Sequence, residues 1–112
     1  MNLKLDKSLH QGVDVISISG EVDLYTASAL KEMTYEVLDT GVSNIILDMT
    51  GLDFMDSSGL GVLVGTLKRV RSAGGSLWLI CDRDNLLKIF RLTGLDKVFT
   101  IHASLEEWQP GA

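Results

Sequence analysis

The residues best suited to chemistry are three consecutive polar ones, Asp56, Ser57 and Ser58, which precede a glycine-rich apolar run. All three residue types cap helix N-termini well, so the simplest interpretation is a helix start. A serine hydroxyl there can also carry a phosphate, because free backbone N–H groups and the helix dipole favour negative charge. Phosphorylation would add a charge of about −1.5 to −2 and change the surface that a partner meets.

Three glycines that follow, Gly59, Gly61 and Gly65, come close to a dinucleotide-binding fingerprint. Their spacing differs from that fingerprint, and residues 51–58 separate Gly59 from the end of the predicted strand 45–49. Close packing of a helix on a sheet explains Gly61 and Gly65 equally well, and no Walker lysine follows the glycines. Nucleotide binding is therefore kept only as an alternative hypothesis.

Residues for other kinds of catalysis are sparse. The two histidines, His10 and His102, lie near opposite ends of the chain, and neither has a partner at metal-ligand spacing. The single cysteine, Cys81, lies in an apolar run, which favours an inert buried thiol and excludes a disulfide within the chain. No two carboxylates stand out as an acid–base pair. We therefore expect no catalytic site, no metal and no cofactor.

Composition limits the class of protein. The 112 residues are 46% hydrophobic and 22% charged, which predicts one folded domain over 1–112. The net charge of −5 argues against direct binding to nucleic acid or to an anionic membrane surface. Apolar runs are too short to span a membrane, and the first residues lack the apolar core of a signal peptide. We therefore expect a cytoplasmic protein.

The elements that must position these residues follow from hydrophobic periodicity. Residues 10–12 predict a turn between two antiparallel strands, and the later strands, separated by helices, favour parallel pairing. We expect Asp84 or Asn85 to cap the third helix, and Ser104 to open a terminal helix. The predicted strands are 3–5, 13–19, 45–49, 77–81 and 98–101, and the predicted helices start at Thr26, about Ser58, Asn85 and Ser104. The fold class is thus α/β, with a mostly parallel sheet of four to five strands, an N-terminal hairpin and about four helices.

Three stretches of the chain resemble a known family. GEVDLYTA at 20–27 and FMDSSGLGVL at 54–63 are similar to the two signature stretches of bacterial anti-sigma factor antagonists, which are STAS domains. A further stretch, IFRLTGL at 89–95, resembles the usual third helix of that family. The resemblance spans essentially the whole chain and implies the STAS-like sandwich fold.

The resemblance also implies a function. It places the phosphoacceptor at Ser57, with Ser58 the less favoured alternative. Unmodified protein would bind an anti-sigma factor that is also a serine kinase and so free a sigma factor. Phosphorylation would weaken that complex, and a PP2C-type phosphatase would restore the binding form. The chain would then be a substrate and binding module, without enzymatic activity.

We expect the partner to bind one face at the end of the sheet. Its predicted residues are Gly20, Glu21, Asp23, Thr26, Asp56, Ser57, Ser58, Gly59, Leu60 and Gly61. Besides the nucleotide-binding alternative, a STAS domain that acts as a scaffold without a phosphorylation switch is also considered. Retention of Ser57 argues against that scaffold.

Overall fold

Apolar strands and amphipathic helices alternate along the chain, and a computed structural model describes residues 2–110. Within this range the chain forms five β-strands, three α-helices and one short 3₁₀ helix, Leu95–Lys97. The strands are β1 Leu3–His10, β2 Val13–Val22, β3 Asn44–Met55, β4 Ser76–Ile80 and β5 Thr100–His102. The helices are α1 Ala27–Asp39, α2 Ser57–Ser72 and α3 Asp84–Thr93.

One sheet with the order β1-β2-β3-β4-β5 organises the molecule. The β1–β2 pair is antiparallel, and every other neighbouring pair is parallel. Gln11 and Gly12, both at positive φ, form the two-residue turn between the first strands, and Gly12 adopts this conformation without steric cost. The predicted hairpin and the mostly parallel sheet are therefore confirmed. The prediction that 1–112 is a single domain stays a prediction.

Two apolar clusters hold the layers together. The larger lies on the helix side of the sheet and includes Ile16, Leu47 and Leu63, all at most 1% exposed. The smaller lies on the opposite face, where Val15, Ile46, Trp78 and Ile80 surround Trp108 from the C-terminal segment. Side chains alternate along each strand, so β3 sends Leu47 to one cluster and Ile46 to the other. No helix among residues 2–110 is long and apolar enough to cross a membrane.

The third strand is longer than its sequence indicates. Its predicted bounds, 45–49, were too short, because β3 continues to Met55. Pairing with β4 stops at Asp48, but pairing with β2 continues as far as Val22 and Met55, with two register shifts on the way. These shifts accommodate Gly51 and the polar residues around it, which resemble a loop in sequence. The prediction that residues 51–58 separate Gly59 from the end of the strand is therefore wrong.

The predicted terminal helix does not form, so the expected count of about four helices is one too many. The capping contacts at its start are present, since the backbone N–H of Glu107 donates to Ser104 O at 3.2 Å and to Ser104 Oγ at 3.3 Å. Only one turn follows. Pro110 disfavours a helical conformation at Gln109, and the fully buried Trp108 fixes the segment against the sheet.

The third helix begins one residue earlier than expected, and its predicted cap was wrong. Arg83 occupies the N-cap position, and no side chain caps the helix. Asp84 lies in the first turn instead, and the Asn85 amide donates to the carbonyl of Asp53 at 3.2 Å. Neither candidate residue therefore caps the helix with its side chain.

Candidate functional site

Parallel pairing of β2 and β3 brings the two predicted signature stretches together at one end of the sheet. Val22 is the register partner of Met55, and the backbone N–H of Asp56 donates to Val22 O at 3.1 Å. The loop that follows β2 therefore begins beside the turn that leads from β3 into α2. The carboxyl ends of parallel strands are where α/β folds commonly present functional groups.

The turn into α2 is held by Asp56. Its backbone is extended, and its carboxylate Oδ1 accepts a hydrogen bond from the backbone N–H of Ser58 at 2.8 Å. This is a helix N-cap, which satisfies one of the otherwise unpaired donors in the first turn. The first hydrogen bond of the helix, from Leu60 N–H to Asp56 O at 3.1 Å, closes the same turn.

Ser57 is the first residue of α2, one position earlier than predicted, and it is exposed. Its hydroxyl makes no hydrogen bond to any of residues 2–110. Ser58 is half-buried, and its backbone N–H is taken by the Asp56 carboxylate. Of the two adjacent serines, Ser57 is therefore the one that a second protein reaches more easily.

The β2–α1 loop is held in shape by Asp23 and Thr26. Asp23 Oδ1 accepts from the backbone N–H groups of Tyr25 at 2.9 Å and Thr26 at 3.0 Å. Thr26 Oγ1 accepts from Asp23 N–H and donates to Glu21 O, both at 2.9 Å. Thr26 occupies the N-cap position of α1, but its hydroxyl does not cap the helix. The Thr26 hydroxyl therefore braces the loop.

This braced loop leaves large apolar side chains in solvent. Leu24 is 73% exposed and Tyr25 is 78% exposed. On the neighbouring strand Phe54 is 48% exposed, and its register partner is Glu21 in β2. We call Leu24, Tyr25 and Phe54 the apolar rim. Exposed apolar groups that cluster beside polar ones are typical of surfaces that bind another protein.

Comparison with known proteins tests the family resemblance of the two signature stretches. The STAS domain family model matches residues 4–108. The chain belongs to the STAS domain family. It is 35% identical over 106 residues to the anti-sigma-B factor antagonist of Bacillus subtilis (strain 168), covering 95% of this chain and 96% of that protein. The anti-sigma-B factor antagonist of Staphylococcus aureus (strain NCTC 8325 / PS 47) is 28% identical, with 95% and 98% covered.

Solved structures show the same fold. An anti-sigma factor antagonist from Mycobacterium paratuberculosis superposes on this STAS domain with a TM-score of 0.87 and 28% sequence identity. The match covers 95% of this chain and 90% of that one. The predicted family and the predicted α/β architecture are therefore confirmed, with the helix count corrected to three among residues 2–110.

Two of the three glycines in α2 of this STAS domain, Gly59 and Gly65, serve packing. A Cβ on Gly59 would lie 2.6 Å from Met55 Cγ and 2.7 Å from Val22 Cγ1, so the absence of a side chain lets α2 rest on the sheet. A Cβ on Gly65 would lie 3.0 Å from the Tyr35 hydroxyl, whereas one on Gly61 would meet open space. Two of the three glycines are thus explained by contacts within the fold, and nothing in their geometry favours a nucleotide.

The predicted partner-binding residues fall into two groups. Glu21, Ser57 and Gly61 are exposed, and Asp23, Thr26, Asp56, Ser58 and Leu60 are half-buried at the same end of the sheet. Gly59 is buried, and Gly20 adopts a positive φ where Asn2 approaches its backbone closely. The last two residues shape the surface from beneath, since neither carries a side chain that could reach a partner.

Sequence reasoning did not select the apolar rim or Arg83. The signal for the rim in the sequence was a set of apolar residues that lie within the signature stretches but fit no helical or strand periodicity. These residues are Leu24, Tyr25 and Phe54. Arg83 Nη1 donates to Asp53 Oδ1 at 3.0 Å, and its Nε donates to Thr50 O at 3.3 Å. These contacts brace the part of β3 that extends beyond β4, and no local pattern in the sequence reveals them.

Proposed function

We propose that this STAS domain is an anti-sigma factor antagonist whose binding is switched by phosphorylation of Ser57. The unmodified form binds an anti-sigma factor that is also a serine kinase, which releases the sigma factor. The kinase phosphorylates Ser57 and the complex weakens, after which a PP2C-type phosphatase regenerates the binding form. The protein is thus a kinase substrate and a binding module rather than an enzyme. The names of its relatives support the role of antagonist.

The observation that carries the proposal is the exposed Ser57 hydroxyl at the first residue of α2. In the proposed transfer, Ser57 Oγ attacks the γ-phosphorus of ATP, and the bond to the oxygen of the leaving ADP breaks. The hydroxyl proton passes to a base on the kinase. The hydroxyl needs no rearrangement of residues 2–110 to react, because it makes no hydrogen bond to any of them.

The surroundings of Ser57 explain how a phosphate could change binding while the fold persists. The first turn of α2 tolerates negative charge, since its unpaired N–H groups and the helix dipole stabilise an anion. The exposed surface nearby is already acidic, with Glu21 and the carboxylates of Asp23 and Asp56 at the same end of the sheet. A dianion added there repels an acidic partner surface and enlarges a side chain within the contact.

The apolar rim supplies the anchoring contacts of the proposed interface. Aromatic side chains such as Tyr25 and Phe54 commonly carry a large share of binding energy when a partner buries them. The Asp23 and Thr26 hydrogen bonds fix the loop before binding, so less conformational entropy is lost in the complex. The rim would give affinity, and Ser57 beside it would give control.

The proposal is tested by mapping the phosphate. The protein is incubated with ATP and its cognate anti-sigma kinase, and intact mass and peptide mapping are compared for wild type, Ser57→Ala and Ser58→Ala. One phosphoryl group is expected on wild type and on Ser58→Ala, with none on Ser57→Ala. Loss of the phosphate in Ser58→Ala alone would show that Ser57 is not the acceptor. If the kinase neither modified nor bound any form, the proposed function itself would be refuted.

A further inference from the structure

The two edges of the sheet differ in a way that bears on self-association. The edge strand β5 has three residues, whereas β1 has eight, all paired with β2 in one continuous register. Natural sheets protect edge strands with short length, bulges, proline or charged side chains. Residues 3–10 form a long strand without a register shift or proline, so its protection rests on the charges of Lys4, Asp6 and Lys7.

The hairpin turn determines which backbone groups of β1 face outward. In a two-residue turn the flanking pair, His10 and Val13, is hydrogen-bonded, and bonded pairs then alternate along the ladder. The bond from Glu21 N–H to Asn2 O, at 2.7 Å, fits this alternation. Even-numbered residues therefore bond to β2, and Leu3, Leu5, Lys7 and Leu9 direct their N–H and C=O groups to the open edge.

The side chains of β1 are complementary to a second copy of the same strand. Leu3 and Leu5 pack against the core, while Lys4 and Asp6 are exposed on the other face and lie 4.0 Å apart, Nζ to Oδ2. When two copies of β1 pair antiparallel about a two-fold axis at Leu5, Lys4 of each copy lies opposite Asp6 of the other. Opposite charges in directly facing positions stabilise a strand pair.

The two adjacent symmetric registers are disfavoured by charge. Moving the axis by one residue in either direction places Lys4 opposite Lys4 or Asp6 opposite Asp6. A register centred on Leu5 also pairs odd-numbered residues with odd-numbered residues, so the outward-facing N–H and C=O groups of the two copies meet. The registers centred on Lys4 and Asp6 allow the same hydrogen bonding, so charge is what favours the register centred on Leu5.

We propose that this STAS domain forms a two-fold homodimer by antiparallel pairing of β1 with β1 of a second copy, centred on Leu5. The dimer has one continuous ten-stranded sheet. Because the two-fold axis reverses the strand direction, the two Ser57 sites lie at opposite ends of that sheet, and both remain open. The small strand-to-strand contact places the dimer among weak interfaces.

Charge reversal tests the proposal on the intact protein. The association state of wild type, Lys4→Asp, Asp6→Lys and the double variant is measured by sedimentation velocity, at concentrations from about 10 μM to 1 mM, the range where weak contacts form. We expect wild type and the double variant to dimerise, and each single variant to dimerise about tenfold more weakly. An equimolar mixture of the two single variants should recover dimers. In the mixed dimer, a strand with acidic side chains at positions 4 and 6 faces a strand with basic side chains at positions 4 and 6.

Two further measurements keep the interpretation specific. Lys88→Asp, at an exposed position on α3, changes the net charge as Lys4→Asp does and should dimerise like wild type. Circular dichroism should show that all variants fold, because Lys4 and Asp6 are 77% and 65% exposed at their side chains. A wild type that stays monomeric throughout the range would overturn the proposal. So would a mixture that associates no better than its components, since the charges of β1 would then only protect the edge.

Discussion

Two glycines of α2 allow the packing of this helix to be tested by the same substitution at two nearby positions. Gly59→Ala would place a Cβ 2.6 Å from Met55 Cγ and 2.7 Å from Val22 Cγ1. Met55 and Val22 are 3% and 0% exposed, so neither side chain can move into solvent. Gly61→Ala places its Cβ in open space on the same helix.

The expected effects have opposite signs. Replacing glycine by alanine within a helix stabilises it by about 0.5–1 kcal/mol, and Gly61→Ala should show this gain. Overpacking of a buried contact costs about 1–3 kcal/mol, which exceeds the helix gain at Gly59. We therefore expect Gly59→Ala to lower the free energy of unfolding by about 1–2 kcal/mol, equivalent to a fall in Tm of roughly 4–8 °C.

Urea unfolding at equilibrium measures both changes. The tryptophans provide the signal, since Trp108 is fully buried and Trp78 is 8% exposed. Equal slopes for the three proteins would show that the comparison reports stability rather than a change in the unfolded state. If Gly59→Ala had the same free energy of unfolding as Gly61→Ala, the close packing of α2 against Met55 and Val22 would be refuted.

Four other perturbations have defined outcomes. Asp56→Ala should lower the free energy of unfolding by about 1 kcal/mol, because the hydrogen bond that caps Ser58 N–H is lost. Asp56→Asn should keep most of the stability that the cap provides. Equal losses for the two variants in urea unfolding would contradict the capping role. Burial raises the pKa of the Cys81 thiol above its ordinary value near 9.0, so the thiol should resist a thiol reagent until the protein unfolds, and rapid labelling of the native state would contradict this. The folded form binds the thiol proton more tightly than the unfolded form does. The contribution of the buried thiol to the free energy of unfolding is therefore complete below pH 9 and falls as the pH rises further, and unfolding curves measured at successive pH values should show this decrease. Tyr25→Ser should weaken binding to the anti-sigma factor about tenfold with little change in unfolding, and calorimetric titration giving unchanged affinity would remove Tyr25 from the interface.

Much of the fold was predictable because its signals are local. The run Ile45–Leu47 indicates a strand buried on both faces, and the structure sends its side chains to two clusters. The apolar spacing of α2 is equally direct, since Leu63, Leu67 and Val70 are all buried. These patterns depend on period alone, so the sequence contains them in full.

The errors came from elements whose state depends on distant contacts. β3 continues through Gly51 because β2 is there to pair with it, and no local pattern shows that partner. Ser104 and Glu107 make the contacts of a helix start, but Trp108 is held in a cluster on the sheet and Pro110 opposes a helix. In both places tertiary packing outweighed local preference.

The candidate site divides in the same way. Ser57 was selected from polar residues near a predicted helix start together with the family resemblance, and the structure makes it the first residue of α2, while its phosphorylation stays a prediction. The apolar rim was not identified, because the exposure of Leu24 and Tyr25 depends on how Asp23 and Thr26 brace their loop. Such exposure is a property of the folded surface rather than of the sequence.

The central claim is that phosphate on Ser57 switches the partner off, and the affinity of the cognate anti-sigma factor measures this directly. Calorimetric titration compares unmodified protein with protein that carries phosphoserine only at Ser57, with the fold of both verified by circular dichroism. We expect the phosphorylated form to bind about 100-fold more weakly, a difference of about 2.7 kcal/mol. Equal or tighter binding by the phosphorylated form would contradict the proposed switch.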